Sequence, residues 1–195
     1  MTPQTLTLRA TAEPAAHAGE AREQRLSQTV TEHLGDVWRF LRRLGLPPAD
    51  ADDAVQDVML IFSRKLDVVV PGQEKSFLFG TALRVAMRAR HARARMLDAD
   101  DDVLESQEDP GPGPDAIQDE RRARELLDHL LDGMPLDLRA VFVLTEVEEM
   151  TAAQVAVLLE VAPGTVASRL RRAREMFDTR LARMHARWRF QGGAS

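Results

Sequence analysis

A chain of 195 residues, 44% hydrophobic and 29% charged, has room for one or two packed cores and the composition of a soluble globular protein. It contains no Cys, which excludes disulfides, thiol catalysis and Cys-ligated zinc. No stretch approaches the roughly 20 apolar residues of a membrane span, and the N-terminus shows no basic-then-apolar leader, so a cytoplasmic protein without membrane insertion is expected. The net charge of −5 argues against a free nucleic-acid binder, but its distribution argues otherwise. Arg84, Arg88, Arg90, Arg93 and Arg95 form a basic block. An acidic run with no Lys or Arg occupies 97–109, and Arg169, Arg171, Arg172, Arg174, Arg180, Arg183 and Arg187 form a second basic block.

In chain order, residues 1–25 are rich in Ala, Thr, Glu and Pro without an apolar period, and are expected to be a disordered tail. A helix is expected from Leu26, with Val30, Leu34, Val37, Leu41 and Leu44 on its inner stripe, ended by Gly45 and Pro47–Pro48. The next helix buries Ala51, Val55, Val58 and Phe62. Its acidic residues suit a helix N-terminus, yet Asp53, Gln56 and Asp57 also share an outward face, so capping and partner binding both remain open. Val68–Val70 and Pro71–Gly72 read as an extended loop. A third helix spans about Glu74 to Arg95, with Phe77 and Phe79 near its start. Its Arg-rich end is either a solvated face or a binding site, and its phenylalanines are either core or stacking platforms.

Residues 97–118 hold the acidic run and DPGPGPD, a linker that spans at most about 70 Å at ~3.3 Å per residue. Asp98, Asp100 and Asp102 mimic the start of a calcium loop, but Val103 and Asp109 stand where its Gly and bidentate Glu belong. The five His are scattered, and no phosphate-binding, dinucleotide or nucleophile-elbow motif is present. No catalytic residue, metal ligand or cofactor site is therefore expected.

The second domain begins near Asp119, with helices carrying Leu126, Leu127, Leu130 and Leu131, then Leu138, Val141, Phe142 and Thr145. Thr151 N-caps a helix whose inner face is Val155, Ala156, Leu158 and Leu159. A turn at Glu160–Ala162 and Pro163 at a helix N1 position lead into a last helix with Val166 and Leu170 inward. Thr165, Ser168, Arg169, Arg171 and Arg172 lie on its outer side. Small residues at the helix crossing and polar or basic residues on the exposed N-terminal half favour a DNA-reading helix-turn-helix over a merely basic hairpin.

Three stretches together resemble bacterial RNA polymerase sigma factors of the extracytoplasmic-function (ECF) type. ADADDAVQDVMLIF (49–62) is similar to the family's DAEDLVQEVF, SFLFGTALRVAMRARHARAR (76–95) to WLxxIARNxxxDxxRR, and MTAAQVAVLLEVAPGTVASRLRRAR (150–174) to EIAxxLGVxxGTVKSRLxRAR. The resemblance covers about residues 26–187. It implies an all-α protein of two small helical domains: region 2 (26–96) and a region 4 helix-turn-helix (119–187), joined by the acidic linker and followed by a short tail (188–195).

The implied partners are the RNA polymerase core, through the clamp and flap of its large subunits, promoter DNA and an anti-sigma factor; the free chain would be a monomer. Position by position, Asp53, Gln56 and Asp57 would meet the core. The loop before Phe77 and the helix after it, Phe77 included, would read and open the −10 element with a flipped base captured in a pocket, and Arg84, Arg88, Arg90 and Arg93 would track the single-stranded backbone. Thr165, Ser168, Arg169, Arg171 and Arg172 would hold the −35 element. The acidic linker would pass through a polymerase channel meant for nucleic acid.

The chain departs from the family pattern at Phe77 for Trp, Arg84 and Arg88 for Asn and Asp, Ala167 for Lys, and Glu160 for the turn Gly. If the turn needs a positive φ, Glu160 costs ~1 kcal/mol. The alternatives are a stand-alone helix-turn-helix regulator, or a degenerate module that titrates polymerase or an anti-sigma factor.

Overall fold

A computed structural model describes residues 13–97 and 115–192. These form seven α-helices: α1 (Glu13–Arg43), α2 (Pro48–Lys65), α3 (Glu74–Leu97), α4 (Asp115–Leu131), α5 (Leu136–Phe142), α6 (Ala152–Leu159) and α7 (Pro163–Gly192). A 3₁₀ turn at Leu66–Val68 follows α2, and a π-type turn at Val143–Val147 follows α5. No strand occurs among the described residues, as the all-α reading requires.

Helices α1 to α3 pack as one bundle around Phe40, Leu41, Leu44, Val58, Phe62, Leu78 and Phe79, all fully buried. The Phe40 and Phe79 rings meet with centroids 4.9 Å apart. The inner stripe of α2 is the expected one, but that of α1 is rotated. Leu34 is 45% exposed and Val30 only half-buried, while Phe40 and Thr29 turn inward. Thr29 satisfies its hydroxyl on the Arg25 carbonyl, 2.8 Å away, which lets a polar group sit in the seam.

Three boundaries differ from expectation. The first helix begins at Glu13 rather than Leu26, so residues 13–25 are no tail. The second module begins at Asp115, shortening the linker, and α7 continues through Gly192 in place of a tail from 188. The acidic run (98–109) lies outside the described residues.

Gly45 ends α1 with φ +90°, and Leu46 N–H returns to the Leu41 carbonyl at 3.2 Å. Pro48 then starts α2 at its first turn, where a missing N–H costs nothing. Across the module boundary, a Cβ on Gly45 would stand 2.7 Å from Nη1 of Arg139. Arg139 is itself buried. Its Nε donates to the Leu131 carbonyl at 2.8 Å, satisfying the C-terminus of α4, and it pairs with Asp132 at 3.1 Å.

The two modules touch along α3 and α6. Leu158 lies 3.4 Å from where a Gly80 Cβ would be, and the buried apolar side chains form one continuous cluster through both modules. At the same seam Glu148 is 8% exposed. Its Oε1 is 3.3 Å from Arg43 Nη1 and its Oε2 3.7 Å from Lys75 Nζ, which also donates to the Glu148 carbonyl at 3.0 Å. Burial pushes the Glu148 carboxyl above its ordinary value, and Lys75 and Arg43 pull against that shift.

In the second module Thr151 N-caps α6 in a capping box: Gln154 N–H donates to Thr151 Oγ1 at 3.3 Å and Thr151 N–H to Gln154 Oε1 at 2.9 Å. Glu160 closes α6 in the left-handed region, φ 55° and ψ 41°. Its neighbour Val161 donates back to the Ala156 carbonyl at 3.0 Å, a Schellman-like ending that asks for Gly.

Two stability outcomes are expected. Glu160→Gly raises stability by about 1 kcal/mol in chemical denaturation with the helical signal unchanged, because it releases backbone strain on an exposed residue. Gly45→Ala lowers stability by about 1–3 kcal/mol, since it adds the same strain and displaces the Arg139 guanidinium. A neutral result for either substitution contradicts the role given to that φ.

Candidate nucleic-acid interface

Three surfaces carry the residues expected to function. On α2, Asp53, Gln56 and Asp57 are exposed and make no side-chain hydrogen bond or ion pair with the described residues. Asp50 is the acid of the first turn. Asp53 and Asp57 lie farther along, where the helix dipole offers little, so capping does not account for them. Asp52 is separately engaged, accepting from Trp38 Nε1 at 2.7 Å. Leu60, one turn beyond Asp57 on this face, is 53% exposed and extends the polar patch with an apolar end. It escaped sequence reading because an apolar residue on a helix is ordinarily assigned to the core.

The second surface is a groove of about 670 Å³ between α2 and α3, lined by Ile61, Lys65, Phe77, Thr81, Arg84, Met87 and Arg88. Phe77 lies at a ring distance of 6.0 Å from Phe62, which braces it from the core side. Ile61, Phe77 and Met87 supply apolar walls, while Lys65 from one helix and Arg84 and Arg88 from the other supply cations. An aromatic-floored cleft with cations suits a base and its phosphates.

Arg90 does not join this groove. Two residues past Arg88 it turns to the other side of α3, and its Nη1 donates to the Leu44 carbonyl at 3.1 Å, closing the end of α1. The Arg93 side chain lies outside those described. Phe79 is fully buried, so it is core rather than a stacking platform. Lys65, Ile61 and Met87 are the lining residues that helix-by-helix reading missed, since only packing brings the end of α2 against α3.

The third surface is the outer side of α7 after the α6–α7 turn. Val166 is buried, Thr165 is half-buried, and Ala167, Ser168, Arg171 and Arg172 are exposed. Ser168 Oγ donates to the Thr165 carbonyl at 3.0 Å. Arg171 and Arg172 make no ion pair with an acid among the described residues, which leaves their guanidiniums uncompensated on the surface. Arg169 differs, with its side chain only 29% exposed and Nε 3.3 Å from Asp137 Oδ2 on α5. Arg174 is likewise engaged, 2.6 Å from Glu146. Two of the arginines in this basic stretch are therefore tied to acids of their own module.

Two family models match the chain in the order of its modules: Sigma-70 region 2 over residues 29–96 and Sigma-70, region 4 over residues 124–177. An ECF RNA polymerase sigma factor, SigE of Mycolicibacterium smegmatis, is 30% identical over 160 residues, which is 80% of this chain and 61% of that protein. The chain thus spans about three-fifths of the length of that relative. The ECF RNA polymerase sigma-E factor of Escherichia coli K12 is 25% identical over 145 residues, 70% of this chain and 76% of that one.

Among solved structures, the sigma factor RpoE in complex with the anti-sigma factor NepR from Bartonella quintana superposes with a TM-score of 0.67 at 23% identity, covering 82% of this chain and 98% of that one. CnrH in complex with the cytosolic domain of CnrY gives a TM-score of 0.62 at 24% identity, covering 86% and 94%. Both share the fold. With region 2 and region 4 matched in sequence and the helical modules in the same order, the chain belongs to the sigma-70 family, as an extracytoplasmic-function sigma factor.

Proposed function

We propose that this protein binds RNA polymerase core, directs it to promoters and helps separate the −10 strands, with no covalent step of its own. The observation that supports this most is the coexistence in one chain of an unpaired acidic face on α2, a cation-lined aromatic groove beside it and a helix-turn-helix with free Arg171 and Arg172. The α2 face (Asp53, Gln56, Asp57, with Leu60) takes the core. The groove (Phe77, Arg84, Arg88, with Lys65) takes the −10 strand. Thr165, Ser168, Arg171 and Arg172 take the −35 element, with Arg169 a lesser contributor because Asp137 competes for it.

The protein acts in the cytoplasm, where polymerase is, and no helix among the described residues is long and apolar enough to cross a membrane. It is a monomer when free, and an anti-sigma protein regulates it, as the two similar solved complexes suggest by their composition.

The test is reconstitution of the chain with core polymerase, followed by initiation on a genomic template library. A stable complex with promoter-selective starts is expected. Selective operator binding without core would establish a stand-alone regulator instead, and a complex without initiation a titrating module. In the same assay Asp53→Arg with Asp57→Arg abolishes core binding while the melting curve stays that of the parent; an unimpaired complex removes α2 from the interface. Arg171→Ala with Arg172→Ala weakens −35-dependent binding across sequences and lowers the salt slope by about one per lost phosphate contact. Arg169→Ala weakens it less, and the reverse ranking overturns the assignment.

A further inference from the structure

The chain holds eight methionines and no cysteine, so its only sulfurs are thioethers and no thiol competes with them for an oxidant. Met134 and Met150 are 3% and 5% exposed in the core, and Met59 and Met176 pack half-buried against it. Met184 is half-buried on α7. Met87, at 42%, is the one exposed methionine among the residues whose side chains are described.

Its place follows from the turn of α3. Val85 and Ala86, just before it, are buried in the bundle. Arg84, one turn earlier on the same face, and Arg88, next in the chain, line the groove together with Met87. Ile61 and Lys65 of α2 line it from the other helix. Neither Arg84 nor Arg88 makes an ion pair with an acid among the described residues. A thioether therefore forms part of the apolar wall of a cleft whose cations are uncompensated and whose mouth is open to solvent.

A peroxide transfers one oxygen atom to such a sulfur. The sulfur lone pair attacks a peroxide oxygen, the O–O bond breaks and an S–O bond forms. Sulfur gives up two electrons and the second peroxide oxygen leaves as water, so thioether and hydrogen peroxide become sulfoxide and water. The product is polar where the thioether was apolar, and its oxygen is a strong acceptor. Arg84 and Arg88 are the donors nearest to it along the helix. Oxidation thus removes an apolar wall for a base and, in the same step, gives the groove's cations an internal acceptor that competes with phosphate.

We propose that Met87 is a reversible oxidation site through which hydrogen peroxide switches off capture of the separated promoter strand. This rests on the reading of the groove as the −10 site.

The experiment oxidises the purified full chain with hydrogen peroxide, removes the peroxide and only then adds untreated core polymerase. Peptide mass spectrometry follows each sulfoxide, and the holoenzyme is tested for binding of a single-stranded −10 oligonucleotide and of a −35 duplex. Met87 is expected to oxidise at least about fivefold faster than Met59, Met176 and Met184, as exposure dictates; equal rates overturn the proposal. With Met87 oxidised, −10 affinity falls about tenfold, the scale of one lost base contact, while core affinity and −35 binding hold. Methionine sulfoxide reductase restores the −10 affinity; a loss that survives the reductase overturns the switch. Met87→Leu keeps an apolar side chain without the sulfur. Whatever its untreated affinity, peroxide lowers it no further, and a further tenfold loss assigns the effect to another residue and overturns the proposal. If Met87→Leu fails to fold, the reductase arm on the parent chain decides. Phe77→Ala with Arg84→Ala separates the two ideas. If that pair weakens −10 binding and oxidation does not, the switch fails and the groove stands; if that pair leaves −10 binding intact, the groove reading fails and the switch with it.

Discussion

A carboxylate buried where two modules meet sets the shape of this molecule. Glu148 follows the π-type turn at Val143–Val147 and precedes Glu149, which sits at φ 57°. The widened turn and the left-handed residue together aim this short segment into the corner between the end of α1 and the start of α3. There Arg43 and Lys75 both face the carboxylate. Such a pair adds little net stability over an apolar substitute, but removing its cations leaves the buried carboxylate uncompensated, which costs several kcal/mol. The ion pairs thus select one docking of the modules among the many that apolar contact alone would permit. Gly80 and Leu158 then complete that docking by close approach of α6 to α3.

Charge is similarly partitioned within the helix-turn-helix module. The formal count of arginines on α7 exaggerates what is available to a polyanion, because Asp137 and Glu146 hold Arg169 and Arg174. These pairs orient α7 on α5 and on the π-type turn after it, and Phe142 and Phe177 stack there with centroids 4.8 Å apart. Arg171 and Arg172, left without an acid, lie together on one exposed stretch of α7, whereas Arg180 is drawn to the Leu130 carbonyl at 3.1 Å. A chain of net charge −5 can thus present a local cationic surface without being a general DNA binder, since long-range attraction is weak while short-range contacts remain.

Periodicity exposed the parts of the fold built from local repetition. Val55, Val58 and Phe62 on α2 and Val155, Ala156 and Val166 around the turn are buried as their spacing indicates. Glu160 was legible because a turn that wants Gly constrains φ whatever the surroundings. What escaped depends on distant partners. Residues 13–25 lack an apolar stripe, and the part of α1 they form is tied down by Arg22 and Arg25 through acceptors more than 40 positions away. Leu34 looked inward by spacing, but the bulk of Phe40 and the burial of Thr29 rotate the seam. Arg90 looked like one more DNA-facing cation until the end of α1 supplied a carbonyl for it. In each case the missing information was which element packs alongside.

The shared core of the two modules also has a thermal aspect. Parting α6 from α3 wets apolar side chains, so opening carries a positive heat-capacity change and its free energy bends with temperature rather than staying fixed. A partner that binds only the parted form has its affinity reduced by the small fraction of molecules in that form. Because apolar attraction weakens on cooling, that fraction rises as temperature falls below the optimum for docking. The seam at Gly80 and Leu158 thereby gives the free protein a built-in temperature coefficient of its own, separate from that of any partner.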